Sequence, residues 1–251
     1  MTLLLISCAA LDFAAAPLPT PTATETPLPS PTIVWFPPSI TPSVQAFATN
    51  TPLPDMRPGL GEVLDEDDFS NEKLWDIAKS DEGSSALNDG NLTLAVQPGV
   101  YLISLRHELT LSNFYAEITA SPNLCRNGDS YGFLVRANAV AYYRFSLTCE
   151  QKMSAERISV GTREVLQSPI STGDAPPGAP GQVRIGVWAV GREMRLFLND
   201  RYQFTIVNAN YPTGTVGVFV HSVGQNATVV NFSDLQIREV DYTPPTRTPK
   251  P

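Results

Sequence analysis

The sequence predicts an all-β fold, a sandwich of two antiparallel sheets, flanked by chain that builds no regular structure. Three observations carry this. Between residues 60 and 240, apolar side chains recur at every second position in short runs broken by Gly, Pro and Asn. No window of that region sustains an apolar stripe of helical period and length. Prolines crowd outside it: twelve of 23 lie between Pro17 and Pro58, and four more fall in the last eight residues.

The chain divides into 1–8, a short apolar start that reads as a truncated lipoprotein signal; 9–59, a Pro/Thr-rich linker; 60–240, the β domain; and 241–251, a Pro-rich tail. The linker holds eight Thr among its prolines from Pro17 onward. Proline removes backbone donors and fixes φ, so this stretch is expected to be a disordered spacer sampling extended polyproline conformations. Its roughly 50 residues would reach about 160 Å if fully extended and about 40 Å as a flexible coil.

Within the domain the strands follow in order. Phe114–Ala120 sets Phe114, Ala116 and Ile118 against Tyr115, Glu117 and Thr119. Tyr131–Arg136 comes next, then Ala141–Thr148, with Tyr143, Phe145 and Leu147 on one face. Gln182–Ala189 places Val183, Ile185, Val187 and Ala189 opposite Arg184, Gly186 and Trp188. Arg195–Ile206 reads as two strands around a tight turn at Asn199-Asp200, residues that tolerate left-handed backbone. Thr215–Val220 and Asn226–Phe232 complete the set. The acidic run over 62–68 is expected to precede the first strand as a solvated domain edge.

Charge narrows the function classes. The chain carries 17 basic and 25 acidic side chains, net −8, and the domain alone has 14 and 21. Nucleic acid is therefore not an expected partner. With only His107 and His221 available, a multi-histidine metal centre is excluded by count.

The three cysteines are expected to do two jobs. A hairpin of the Tyr131 and Ala141 strands around Asn138 would pair Tyr131 with Tyr143 and bring Cys125 to Cys149 at its outer end. In an oxidising compartment that geometry suits a disulfide. Cys8 ends the run Leu5-Ile6-Ser7-Cys8, which resembles the bacterial lipobox, where a small residue precedes a Cys that becomes lipidated. No Lys or Arg precedes the run, as expected if the start codon lies upstream. The protein is thus expected to be exported and lipid-anchored to the bacterial cell envelope, touching membrane through that anchor alone.

The ordered motifs Asp67-Asp68-Phe69-Ser70, Trp75, Tyr131-Gly-Phe-Leu-Val-Arg136, Tyr142-Tyr-Arg-Phe-Ser146, Arg184–Gly191, Leu196–Asn199, Gly214–Phe219 and Val229–Ile237 resemble the concanavalin A-like jelly roll. The likeness is to its laminin-G-like branch, grouped with the 3-keto-disaccharide hydrolase domain of bacterial surface lipoproteins. It spans about Asp67 to Arg238. What it implies is a jelly-roll sandwich that hosts lectins, glycosidases or spacers. Some such domains hold calcium between the opening loop and an Asp near the last strand, which would fall on Asp68 and Asp234; no other cofactor is implied. Phe69 and Trp75 are expected to plug the core.

Related glucanases carry carboxylates as Glu-x-Asp-x-(x)-Glu on one sheet face, close enough to flank a glycosidic bond. No strand here has that pattern, and no Gly-x-Ser-x-Gly elbow or Cys–His pair is present. The domain is therefore expected to be a non-catalytic binding module for glycan or cell-wall polysaccharide. An envelope structural or adhesion domain with protein partners is the alternative, and a sugar-active hydrolase the more distant one. Alternation assigns Trp188, Arg184, Arg144, Tyr142 and Arg136 to outward faces, with Trp188 the expected exposed platform for a sugar ring.

Overall fold

The structure, a computed structural model, describes residues 55–207 and 209–243. Cys8, the linker up to residue 54 and the tail from 244 lie outside the described residues. Fifteen strands follow one another: β1 (Leu60–Asp67), β2 (Ala78–Lys79), β3 (Gly83–Asn88), β4 (Asn91–Val96), β5 (Tyr101–Leu105), β6 (Phe114–Leu124), β7 (Ser130–Ala137), β8 (Tyr142–Thr148), β9 (Lys152–Ser159), β10 (Thr162–Ser171), β11 (Val183–Val190), β12 (Glu193–Leu198), β13 (Arg201–Ile206), β14 (Thr215–His221) and β15 (Thr228–Val240). Among the described residues the only helical element is a 3-10 turn at Glu72–Leu74.

The strands form two antiparallel sheets. One has nine strands in the order β13-β12-β11-β6-β15-β4-β3-β2, with β1 pairing the second half of β15. The other has six, in the order β10-β9-β8-β7-β14-β5. Their inner faces supply one core because the period-2 pattern sends alternate side chains inward. From the larger sheet come Leu92, Leu94, Phe114, Ile118, Ile185, Val187, Leu196 and Phe232; from the smaller come Tyr131, Phe133, Phe145, Leu147, Val216 and Val218, all fully or nearly fully buried. Phe69 and Trp75 close one end of this core with ring centroids 5.3 Å apart, and Asp67 accepts a 2.9 Å hydrogen bond from the Trp75 indole.

Two irregularities steer residues that matter below. On β15 the register shifts between Ser233 and Gln236, with Asp234 left-handed at φ 54°. This bulge hands the core from Val230 and Phe232 to Leu235 and Ile237, and turns the Asp234 carboxylate outward. On β7, Arg136 is left-handed at φ 46°, where the pairing with β14 shifts between Thr215 and Gly217.

The acidic run is not a loose edge before the sheets. It forms most of β1, and Asp65 and Asp67 pair with the buried guanidinium of Arg106 at 3.1 and 2.8 Å. Cys125 and Cys149 form the expected disulfide, with Cα atoms 5.9 Å apart. Its setting differs from the expectation. β7 pairs Tyr131 with Leu147, not Tyr143, a slip of four residues that by itself moves no side chain to the other face. Cys125 lies just past β6 of the larger sheet and Cys149 just past β8 of the smaller one, so the bridge staples the two sheets at one end.

Candidate functional site

The sandwich offers two outer faces, and four of the five outward residues read from the sequence divide between them. Trp188 and Arg184 lie on β11 of the larger sheet; Tyr142 and Arg144 lie on β8 of the smaller one. They do not form one site.

On the larger sheet, alternation placed Trp188 on the correct face but its exposure is corrected: the side chain is 0% exposed. It packs with Tyr115, Val190, Phe197 and Val240 in a second apolar cluster outside the main core, covered by Met56 and Tyr242. Its indole donates to the carbonyl of Pro58 at 3.0 Å, and the Arg195 guanidinium stacks 4.4 Å from its ring centroid. Arg57 adds an ion pair to Asp200 at 2.9 Å and lies over the Tyr115 and Phe197 rings. The segments just before β1 and just after β15 thus strap this face, and the packed domain begins upstream of residue 60. A Cβ at Gly186 would stand 2.5 Å from the Tyr115 hydroxyl, so that residue type lets the Tyr115 ring lie flat across the sheet. Arg184 is exposed but held by Asp200 and, at 3.8 Å, Glu117.

Arg136 is the other correction. Its left-handed backbone turns it off the outward face and over the end of the sandwich, where it is 0% exposed. There it donates to the carbonyls of Gly191 at 2.7 Å, Tyr211 at 3.0 Å and Ser112 at 2.8 Å. Burial lowers its pKa, with no carboxylate among these partners to offset it. Arg136 ties three loops together and is unavailable to a ligand.

The outer face of the six-stranded sheet is different. The described chain ends do not strap it, and its side chains form an aromatic platform beside a charge network. Tyr142 and Arg144 lie on the outer side as read, with Tyr101 and Ile103 of β5, Phe219 and His221 of β14 and Glu156 and Ile158 of β9. The exposure of Tyr142 is corrected: it and Phe219 are buried, and Tyr101 is the half-buried aromatic ring of this face. Tyr101 stacks against Phe219 at 5.5 Å and meets His221 edge-on at 5.6 Å. Its hydroxyl lies 3.4 Å from that of Tyr142. A Cβ at Gly132 would stand 2.0 Å from the Phe145 carbonyl oxygen and 3.1 Å from the Phe219 ring, so the platform requires glycine there. Arg144 spans the platform, its guanidinium 5.3 Å from the Tyr101 centroid and 5.4 Å from that of Phe219.

Glu156, opposite Arg144 in the β8–β9 ladder, accepts from Arg144 on one oxygen and from Arg163 of β10 on the other, each guanidinium using two nitrogens. Burial works against its charge, yet the Arg163 and Arg144 hydrogen bonds hold its carboxyl below the usual range. Burial pushes the Tyr101 phenol up, helped by Tyr142, so it stays protonated. Burial also lowers the His221 imidazole, with Arg144 adding to the effect. Tyr101, His221, Glu156 and Arg163 were missed from sequence. Tyr101 and Ile103 alternate on β5, but nothing local marks that strand as a neighbour of β14.

Asp68 and Asp234 do come together. With Glu66, Gly90 and Gln236 they line one open depression. Asp68 Oδ1 accepts from the Ser70 amide at 3.0 Å, and the Ser70 hydroxyl, followed by that amide, lowers its pKa; Asp234 Oδ2 accepts from the Ser233 hydroxyl at 2.7 Å. Oxygen-only donors fit a hard cation, although among the described residues no three Asp, Glu, His or Cys side chains converge.

No family model matches the sequence, and no curated protein matches it. Solved structures match its fold. The carbohydrate-binding module CBM66 from Bacillus subtilis superposes with a TM-score of 0.55 at 16% identity, over 66% of this chain and 96% of that one. A Bacillus subtilis protein of unknown function with a galectin-like fold gives 0.58 at 12% identity, over 73% and 99%. The Bacillus licheniformis β-glucanase gives 0.54 at 10%, over 72% and 99%. The domain has the concanavalin A-like jelly-roll fold. At such identities the likeness establishes the fold.

Proposed function

We propose that this protein is a lipid-anchored, cell-surface module that binds glycan without catalysis, using the outer face of the six-stranded sheet. The observation that carries this is the half-buried Tyr101 ring, lying on the buried Phe219 and Tyr142 with Arg144 and His221 beside it. Aromatic faces cover the C–H surface of a sugar ring, while guanidinium and hydroxyl groups fix its hydroxyls. Both described chain ends pack on the opposite sheet and leave this face uncovered. Fold neighbours that include a carbohydrate-binding module and a glucanase support the class. Among the described residues the carboxylate on this face is Glu156, and two arginines occupy both its oxygens; retaining or inverting hydrolysis needs a second one across the bond.

The test is affinity electrophoresis of the 251-residue chain through a panel of soluble polysaccharides. Retardation by at least one polymer is expected, and Tyr101→Ala is expected to weaken it by about 1–3 kcal/mol, the range of aromatic stacking platforms. A panel without any retardation would overturn the reading, and sugar release lost in Glu156→Gln would replace it with an enzyme.

The anchor is part of the proposal. Cys8→Ser is expected to move the protein from the membrane fraction to the soluble fraction, because multiple acyl chains are what hold a lipoprotein stably. Unchanged partitioning would remove the anchor.

Asp68 and Asp234 would hold calcium, which would tie the turn after β1 to the β15 bulge. A ligand that binds only the folded state stabilises it by mass action. Millimolar calcium is therefore expected to raise the melting temperature relative to chelator, and Asp234→Ala to abolish the difference. Equal melting with calcium and chelator would dismiss the site.

A further inference from the structure

We infer that the glycan bound on the six-stranded face is anionic, carrying carboxylate or sulfate groups; this deepens the binding reading above and rests on it. The argument is one of charge accounting at the Arg144–Glu156–Arg163 cluster. One carboxylate faces two guanidiniums, which leaves a unit of positive charge on this face of a chain whose net charge is −8. The two arginines differ in what they have left to offer. Arg144 is spent: its side chain is 16% exposed, it uses two nitrogens on Glu156, and its face lies over Tyr101 and Phe219. Arg163 has a side chain 65% exposed. It places Nε and Nη2 on Glu156, and among the described residues its Nη1 makes no hydrogen bond. Glu156 therefore holds the Arg163 guanidinium in a fixed orientation while its outer edge faces solvent.

That arrangement is suited to an anion. Guanidinium offers planar, paired donors that match carboxylate and sulfate geometry, and a pre-oriented one loses less side-chain entropy on binding. Arg163 on β10 and Tyr101 on β5 sit on the two edge strands of the six-stranded sheet. Their side chains lean toward each other over the sheet: Tyr101 lies against Arg144, and Arg144 and Arg163 share Glu156. A polysaccharide laid across the strands would stack on Tyr101 on one side of the Arg144–Glu156 pair and meet the fixed Arg163 cation on the other. His221, beside Tyr101, is held toward its neutral form by burial and by Arg144, so at neutral pH the positive charge on the face comes from the arginines.

The experiment compares matched polymers on the full 251-residue chain: polygalacturonate, its fully methyl-esterified form, which keeps the backbone and loses the charge, dextran sulfate and unmodified dextran. Polygalacturonate or dextran sulfate is expected to bind at least tenfold more tightly than its neutral counterpart, and 0.5 M NaCl to erase that preference. Arg163→Gln, at an exposed position, should bring anionic binding down to the neutral level while leaving the melting temperature unchanged. Tyr101→Ala should weaken charged and uncharged polymers alike. Equal binding of charged and neutral partners, or a charge preference that survives Arg163→Gln, would overturn the inference and leave the glycan-binding reading standing. If none of the four polymers is bound, and none of the wider panel, both fall together.

Discussion

Trp188→Ala is expected to lower the stability of the domain by about 3–5 kcal/mol, the range for removing a buried Trp or Phe from a packed site. At about 2–4 °C per kcal/mol for a domain of this size, the melting temperature should drop on the order of 10 °C. The cost arises outside the main core. Trp188 is the centre of the cluster that holds Met56, Pro58 and Tyr242 against the larger sheet. Removing it opens a cavity, strands the Pro58 carbonyl, and takes from Arg195 the ring it stacks on. Trp188→Phe keeps most of the apolar contact and should cost less. Differential scanning calorimetry of the two variants decides the matter. A Trp188→Ala domain that melts with the wild type would mean that the straps do not seal this face, and would restore Trp188 as a surface residue open to ligand.

The Trp188 result also explains which parts of the structure sequence alone made legible. Period-2 alternation is a property of the strand itself, so it correctly put Trp188, Arg184, Arg144 and Tyr142 on outer faces and Val187, Phe145 and Val135 inside. Which face is outer says nothing about what covers it. The cover for Trp188 comes from Met56 and Pro58, 132 and 130 positions earlier, and from Tyr242, far along the chain in the other direction. These residues lie in or beside Pro-rich segments that read as linker, because composition registers an average and not the few side chains that dock.

Arg136 failed for a different reason. Alternation assumes an extended backbone, and a single left-handed residue at a β7 irregularity breaks it. No local motif announces a positive φ at an arginine; glycine or asparagine would have. Asp68 and Asp234 could be placed together because the fold the sequence resembles brings its opening loop and last strand into contact, and the structure puts both in one depression. The platform itself was only half legible. Tyr142 and Arg144 share a strand and were found by counting, whereas Tyr101, Glu156, Arg163 and His221 depend on strand order β10-β9-β8-β7-β14-β5. That order mixes early and late segments of the chain, and single-strand patterns carry no information about lateral neighbours.

The second large effect is expected at the disulfide. Opening the Cys125–Cys149 link frees a loop whose ends are 24 positions apart in sequence, and on the chain-entropy estimate this removes about 3.5 kcal/mol of stability. The fold gives that loss a particular location. The turn after Cys125 is organised by Asp129, which accepts from the Arg126, Val223 and Gly224 amides and whose carbonyl accepts from the Cys149 amide at 3.0 Å. With the staple gone, β6 of the larger sheet and β8 of the smaller one remain joined at this end only by such hydrogen bonds and by packing. Cys125→Ala/Cys149→Ala should therefore melt roughly 7–14 °C below the parent. Hydrogen exchange should quicken first in the 125–130 and 148–152 backbone, before it changes in β11 or β15. Non-reducing peptide mapping of the parent should recover the two cysteines in one linked fragment. Two thiols that alkylate freely in native, air-exposed protein would contradict the link, and a double variant with an unchanged melting temperature would show that the Asp129 turn holds the sheets together without it.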